Sequence, residues 1–84
     1  MPYTTKGQRA LILSGSTPTT AGELNFLLTT NCLEYIKTKY PAGLTYAAIN
    51  DVVGALECCK QELYRRLAAP MEDRKCSENG DVFP

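Results

Sequence analysis

The sequence predicts an all-α protein, because its apolar residues recur at helical spacing and the segments break at cap and turn residues. No segment alternates apolar and polar residues over a useful strand length. A chain of 84 residues has room for one domain with a small core. We therefore expect a single helical domain over residues 1–84.

Residues 1–19 predict a short N-terminal helix followed by a linker. Thr5 is a candidate N-cap, and the helix is expected to end at Ser14-Gly15. The polar residues that follow, with Pro18 among them, indicate a turn.

Residues 20–69 predict an antiparallel helical hairpin. Thr20 and Glu23 have the spacing of a capping box, in which both side chains bind backbone N–H groups, and this helix should reach about Lys39. Pro41-Ala42-Gly43 breaks it, and Thr45 can cap a third helix from about Tyr46 to Ala68. The predicted buried face of the third helix comprises Ile49, Val52, Val53, Leu56, Cys59, Leu63 and Leu67.

Residues 70–84 predict a charged C-terminal tail, because Pro70 is expected to end the third helix. The acidic residues of this tail would pair with Arg65, Arg66 and Lys75, which would hold the tail against the helix.

The two long helices also predict self-association. Each carries an apolar stripe wider than one partner helix would cover, and four tyrosines remain in addition, namely Tyr35, Tyr40, Tyr46 and Tyr64. Assembly into a homo-oligomeric bundle would cover these faces.

Composition argues against several classes of partner. Nine basic residues balance nine acidic ones, which disfavours bulk nucleic-acid binding. No apolar run approaches the ~20 residues of a membrane helix, and no signal peptide is apparent, so a cytoplasmic location is expected. The adjacent Cys58 and Cys59 point about 100° apart on a helix, and His is absent, so we expect free thiols and no metal site or cofactor.

The catalytic inventory is poor. The chain has no His, no Gly-rich phosphate loop and no Gly-x-Ser-x-Gly motif, and no cysteine has an evident base beside it. We therefore expect that the protein is not an enzyme.

Tyr64, Arg65 and Arg66 form the most suggestive polar cluster. An arginine beside a tyrosine can hold a phosphate while the ring stacks on a base. The alternative is a solvated helix end with an i,i+4 pair between Glu62 and Arg66.

Several strings resemble a known family. They are Gly22–Asn25 (GELN), Ile49–Cys58 (INDVVGALEC), Glu62–Arg66 (ELYRR), Ala69-Pro70 with Glu72-Asp73, and Glu78–Val82 (ENGDV). Through them the chain resembles small uncharacterised proteins of tailed phages, prophages and bacterial genomes. The resemblance implies a helical fold and a phage or prophage origin, and it carries over no catalytic or binding residue.

In that context the leading hypothesis is a non-enzymatic phage protein that binds and sequesters a small nucleotide signal of host antiphage defence. Tyr64 would stack on a base, Arg65 and Arg66 would bind phosphate, and Asn25 and Asn79 would contact base or ribose edges. The alternatives are a helical adaptor or host-takeover factor that docks on a host protein through an exposed helix face, and a purely structural or regulatory oligomer. A cleft with convergent polar groups favours a ligand, whereas a flat apolar stripe favours a protein partner.

Overall fold

The computed structural model describes residues 3–83, and within this range the chain forms helices joined by turns, without a strand. The all-α prediction is confirmed. The chain divides into two compact units, Met1–Ala48 and Ile49–Pro84, and the division falls within the first turn of the third helix. The predicted hairpin and the predicted oligomer stay predictions.

The N-terminal unit begins with helix α1, Lys6–Leu13. Thr5 caps this helix, as predicted: its hydroxyl accepts the Gln8 N–H at 3.1 Å, and the Gln8 side chain accepts the Thr5 N–H at 2.7 Å. This reciprocal pair is a capping box that satisfies two free donors of the first turn. The helix ends at Ser14, followed by Gly15 with a φ of 105°, as the sequence indicated.

Helix α2, Ala21–Lys39, begins at the predicted cap. The Thr20 hydroxyl accepts the Glu23 N–H at 3.1 Å. The other half of the predicted capping box is wrong, because the Glu23 carboxylate accepts the Thr19 N–H at 3.3 Å instead of the Thr20 N–H. Gln8 of α1 donates to the same carboxylate at 3.2 Å, so Glu23 joins α1 to α2.

The core of this unit is small and partly polar. Among residues 3–48 the buried apolar residues are Ile12 and Ala48, at 3% and 0% exposure. Thr4 and Glu23 are buried as well, at 7% and 8% exposure. The Arg9 guanidinium donates to both the carbonyl and the hydroxyl of Thr4, which fixes the start of the described chain against α1.

Helix α3, Tyr46–Leu63, starts after Thr45, whose hydroxyl accepts the Ala48 N–H at 3.1 Å. It continues through a π-helical turn, Tyr64–Ala68, into helix α4, Ala69–Asn79. The predicted stop at Pro70 is therefore wrong, and so is the predicted tail as far as Asn79. We call residues 49–79 the C-terminal rod; at 1.5 Å per residue it is about 45 Å long.

The π turn explains how a helix passes through Pro70. A proline within an α-helix lacks the N–H that would bind the carbonyl four residues back, and its ring clashes with that carbonyl, here Arg66. In the π turn the spacing widens, and the Ala69 N–H donates to the Tyr64 carbonyl five residues back. Such a turn contains one extra residue, so every later side chain is rotated by about 100° from its position in a regular α-helix.

The predicted buried face of the third helix is largely exposed. Val52 is half-buried, whereas Ile49, Val53, Leu56, Cys59, Leu63 and Leu67 are exposed. The prediction of burial is wrong for these six because the C-terminal unit consists of one continuous rod, with no second helix of its own to pack on them.

Candidate functional site

Tyr64, the first residue of the π turn, is bound to α4. Its hydroxyl donates to the two carboxylate oxygens of Glu72 at 3.0 and 3.1 Å. Residues eight apart in a regular α-helix differ by about 80° in direction, but the extra residue of the π turn brings this pair to within about 20°. The Tyr64–Glu72 bond therefore depends on the π turn.

This bond raises the pKa of Tyr64. The hydrogen bond to Glu72 is the largest cause, and the negative charge of the same carboxylate adds to it, because both favour the neutral phenol. The hydroxyl is thus a hydrogen-bond donor committed to Glu72, while Tyr64 as a whole residue is 53% exposed.

Arg65 and Arg66 share one carboxylate. Arg65 Nη2 lies 2.7 Å from Glu62 Oε2, and Arg66 Nε lies 3.2 Å from Glu62 Oε1. All three side chains are at least half exposed, so each pair contributes a few tenths of a kcal/mol up to about 1 kcal/mol. An anion that bound both arginines would therefore compete with Glu62.

The polar face of the rod has an open depression of about 750 Å³. Glu57, Cys58, Lys60, Gln61, Glu62, Tyr64 and Arg65 line it. All of these side chains belong to one helical stretch, so a bound molecule would contact a single wall. Small-molecule sites usually bury 70–90% of the ligand surface, which a single helix face cannot do.

The remaining two predicted ligand residues belong to other parts of the chain. Asn25 belongs to the N-terminal unit, where its side-chain oxygen accepts a hydrogen bond from the Thr29 hydroxyl at 3.3 Å. Asn79 is the last residue of α4, about 20 Å along the rod from Arg66 at helical rise. Within the rod, Tyr64, Arg65 and Arg66 are neighbours, and Asn79 is distant from them.

A second feature of the rod is a long apolar stripe, which we define as Ile49, Val53, Leu56, Leu63, Leu67 and Met71. Steps of three, four and seven residues place its α3 members on one helix face. Met71 follows Leu67 by four residues, and both residues line an apolar depression of about 600 Å³.

The stripe is exposed along its whole length. The six side chains are between 38% and 64% exposed, with Ile49 the lowest and Leu67 the highest. Lys60 lies within the stripe, but its ammonium is 3.4 Å from the Glu57 carboxylate, whose pKa is lowered by Gln61 and by Lys60. The Lys60 charge is thus directed to the edge of the stripe.

The cysteines and acidic residues form no metal site among the described residues. No group of three or more potential ligands is clustered in residues 3–83, and the four thiols are free. Within the same range, none of the helices combines the length and apolar character needed to cross a bilayer.

Sequence reasoning missed two functional features of the rod, the Tyr64–Glu72 bond and the inclusion of Met71 in the stripe. The first depends on the extra residue in the π turn, and the second depends on the continuation of the helix beyond Pro70. The available signal is Pro70 itself, which follows an unbroken helical pattern and precedes residues that are compatible with a helix. A proline in that setting indicates either a wide turn or a helix stop.

The comparison with protein families matches nearly the whole chain. A model described as a domain of unknown function, DUF6899, matches residues 1–82. No curated protein and no solved structure matches the chain.

Proposed function

The chain belongs to the DUF6899 family, whose description names no activity, and we propose from the geometry of the rod that it is a protein-interaction module. Its docking surface is the apolar stripe, and it binds a helix of a partner along that face. The exposed length of the stripe carries this proposal.

Exposed apolar area of this kind supports a docking role. Single exposed apolar residues are ordinary on a protein surface, but a contiguous row marks an interaction site. Here six large side chains follow one face over 23 residues, from Ile49 to Met71. Their period of seven is that of helices that pack side by side.

Two adjacent cysteines provide the test. Cys59 lies three residues after Leu56 and four before Leu63, on the face of the stripe, whereas Cys58 points about 100° away. Both thiols are exposed in the chain itself. We expect a partner on the stripe to cover Cys59 and to leave Cys58 accessible.

The experiment measures maleimide labelling in intact cells that express variants with Cys58 or Cys59 as the sole cysteine. The labelling rate of Cys59 in cells should be at least about tenfold below the labelling rate of the same variant in urea. A factor of about ten corresponds to a stripe that a partner covers about nine-tenths of the time. Cys58 should react at close to its unfolded rate. Equal rates for the two thiols in cells would contradict the proposal.

The nucleotide hypothesis stays a prediction. Tyr64 and Arg65 line one open depression, but Tyr64 is bound to Glu72 and both arginines to Glu62. A melting temperature unmoved by cyclic oligonucleotides and ADP-ribose derivatives would count against it. The phage origin, the host protein partner and the cytoplasmic location also stay predictions.

A further inference from the structure

We propose that the partner helix is the same rod of a second copy of this chain, in antiparallel orientation. This inference rests on the proposed function, because it names the occupant of the apolar stripe. Three properties of the rod support it: the spacing of the stripe, the distribution of charge and the size of the apolar surface.

The stripe is symmetric about its own midpoint. Leu56 and Leu63 lie equally far from the point between Cys59 and Lys60, whereas Val53 and Leu67 lie equally far from Lys60, half a residue further along. Ile49 and Met71 form the outer pair, also centred on Lys60, and subtracting the extra residue of the π turn brings their midpoint back to that of the inner pair. Two antiparallel copies would therefore oppose apolar residues on both sides of a centre formed by Cys59 and Lys60.

The charge of the rod is divided unequally between its halves. Residues 49–63 contain Asp51, Glu57, Glu62 and one cation, Lys60, for a net charge of −2. Residues 64–79 contain Arg65, Arg66, Arg74 and Lys75 against Glu72, Asp73 and Glu78, for a net charge of +1. Antiparallel pairing places each negative half beside a positive half, whereas parallel pairing places like halves together.

The apolar surface is sufficient for a dimer. With six large side chains 38–64% exposed, the stripe offers roughly 600 Å² per copy, and two copies would bury about 1,200 Å², the lower limit for a stable specific interface. The flanking residues of each rod would add to that area.

The first measurement is the mass of the purified full-length chain by light scattering after size exclusion. We expect twice the mass of one chain, with loss of the dimer on Leu63→Asp. Gln61→Asp introduces the same charge in the same helix away from the stripe, and it should leave the dimer intact. Circular dichroism of both variants checks that the helices remain folded.

The orientation is tested with single cysteines at Val53 and Leu67, in a chain whose four native cysteines are replaced by serine. A disulfide needs Cα atoms within about 7 Å, and antiparallel pairing separates the two copies of residue 53 by about 20 Å. We expect Val53→Cys alone and Leu67→Cys alone to remain uncrosslinked on mild oxidation. A mixture of the two should form the 53–67 disulfide.

Each other outcome overturns the inference in a defined way. Self-crosslinking of both single variants means parallel pairing. A purified monomer whose Cys59 is protected means that the chain covers its own stripe. A purified monomer whose Cys59 is reactive, but protected in cells, means that another protein is the partner, and the proposed function then survives without the dimer.

Discussion

Replacing Glu23 by alanine is expected to lower the free energy of unfolding of the N-terminal unit by about 3 kcal/mol. The carboxylate is 8% exposed and accepts hydrogen bonds from the Gln8 side chain, the Thr19 N–H and the Thr20 hydroxyl at 3.2–3.3 Å. Hydrogen bonds to a charged group contribute about 1.5–3 kcal/mol each, but the donors on Thr19 and Thr20 are exposed and can turn to water, so the expected loss is less than the sum of the three bonds. With so few buried apolar residues in this unit, that loss is large.

Hydrogen exchange of the amides of α1 and the first turn of α2 measures this effect within the unit. Glu34→Ala is the matched control, because Glu34 is an exposed carboxylate on the same helix. It should change the exchange-derived stability by less than about 0.5 kcal/mol. Equal effects of the two substitutions would mean that Glu23 does not join α1 to α2.

The helix starts of this protein could be predicted from sequence because they depend on local chemistry. Thr5, Thr20 and Thr45 each bind an N–H three residues on, and a hydroxyl at that spacing suffices. The Glu23 carboxylate could not be placed in the same way. Its partner Gln8 is 15 residues away, and only the packing of α1 on α2 brings the two side chains together.

The course of the chain beyond Leu63 could not be read correctly, because two outcomes compete at Pro70. A proline either stops a helix or is accommodated by a wide turn, and the difference depends on the helical preference of the residues that follow. Here Met71–Asn79 continue as helix. That continuation rotates Glu72 toward Tyr64, a contact that no regular periodicity would have predicted.

The predicted ligand residues show how far residue type alone can lead. Tyr64, Arg65 and Arg66 are consecutive, so their proximity follows from the sequence alone. Their availability does not, since Glu62 binds donors of both arginines and Glu72 accepts the Tyr64 hydroxyl. The apolar residues of the third helix recur at helical spacing, but a pattern of that kind cannot distinguish a buried face from a docking surface.

Replacing Pro70 by alanine is expected to convert the π turn to a regular α-helix and to stabilise the rod by about 1–3 kcal/mol. Alanine supplies the missing N–H, which can then donate to the Arg66 carbonyl, and it removes the ring that clashes with that carbonyl. Hydrogen exchange should therefore slow for the amides of residues 64–74. Pro41→Ala is the control, because Pro41 lies in the turn between α2 and α3, and its effect on these amides should be negligible.

The same substitution should release Tyr64. Conversion to an α-helix rotates Glu72 by about 100°, so the phenol loses its acceptor and its pKa falls back toward the ordinary value of 10.0. Because the pKa of Tyr64 is raised in the native rod, the bond to Glu72 stabilises the fold fully below about pH 10. This stabilisation is lost as the pH rises through the pKa that Tyr64 has in the folded state. The measurement is an ultraviolet absorbance titration of the tyrosines in Pro70→Ala, with and without Tyr64→Phe. The difference between the two curves is the titration of Tyr64 alone.

A second substitution separates the turn from the bond. Glu72→Gln removes the carboxylate charge and should lower the pKa of Tyr64, while the proline keeps the π turn and the exchange of residues 64–74 changes little. If Pro70→Ala leaves both the exchange rates and the raised pKa of Tyr64 unchanged, the proline does not cause the turn. The Tyr64–Glu72 bond would then be the stronger determinant, and Glu72→Gln, rather than Pro70→Ala, would alter the exchange.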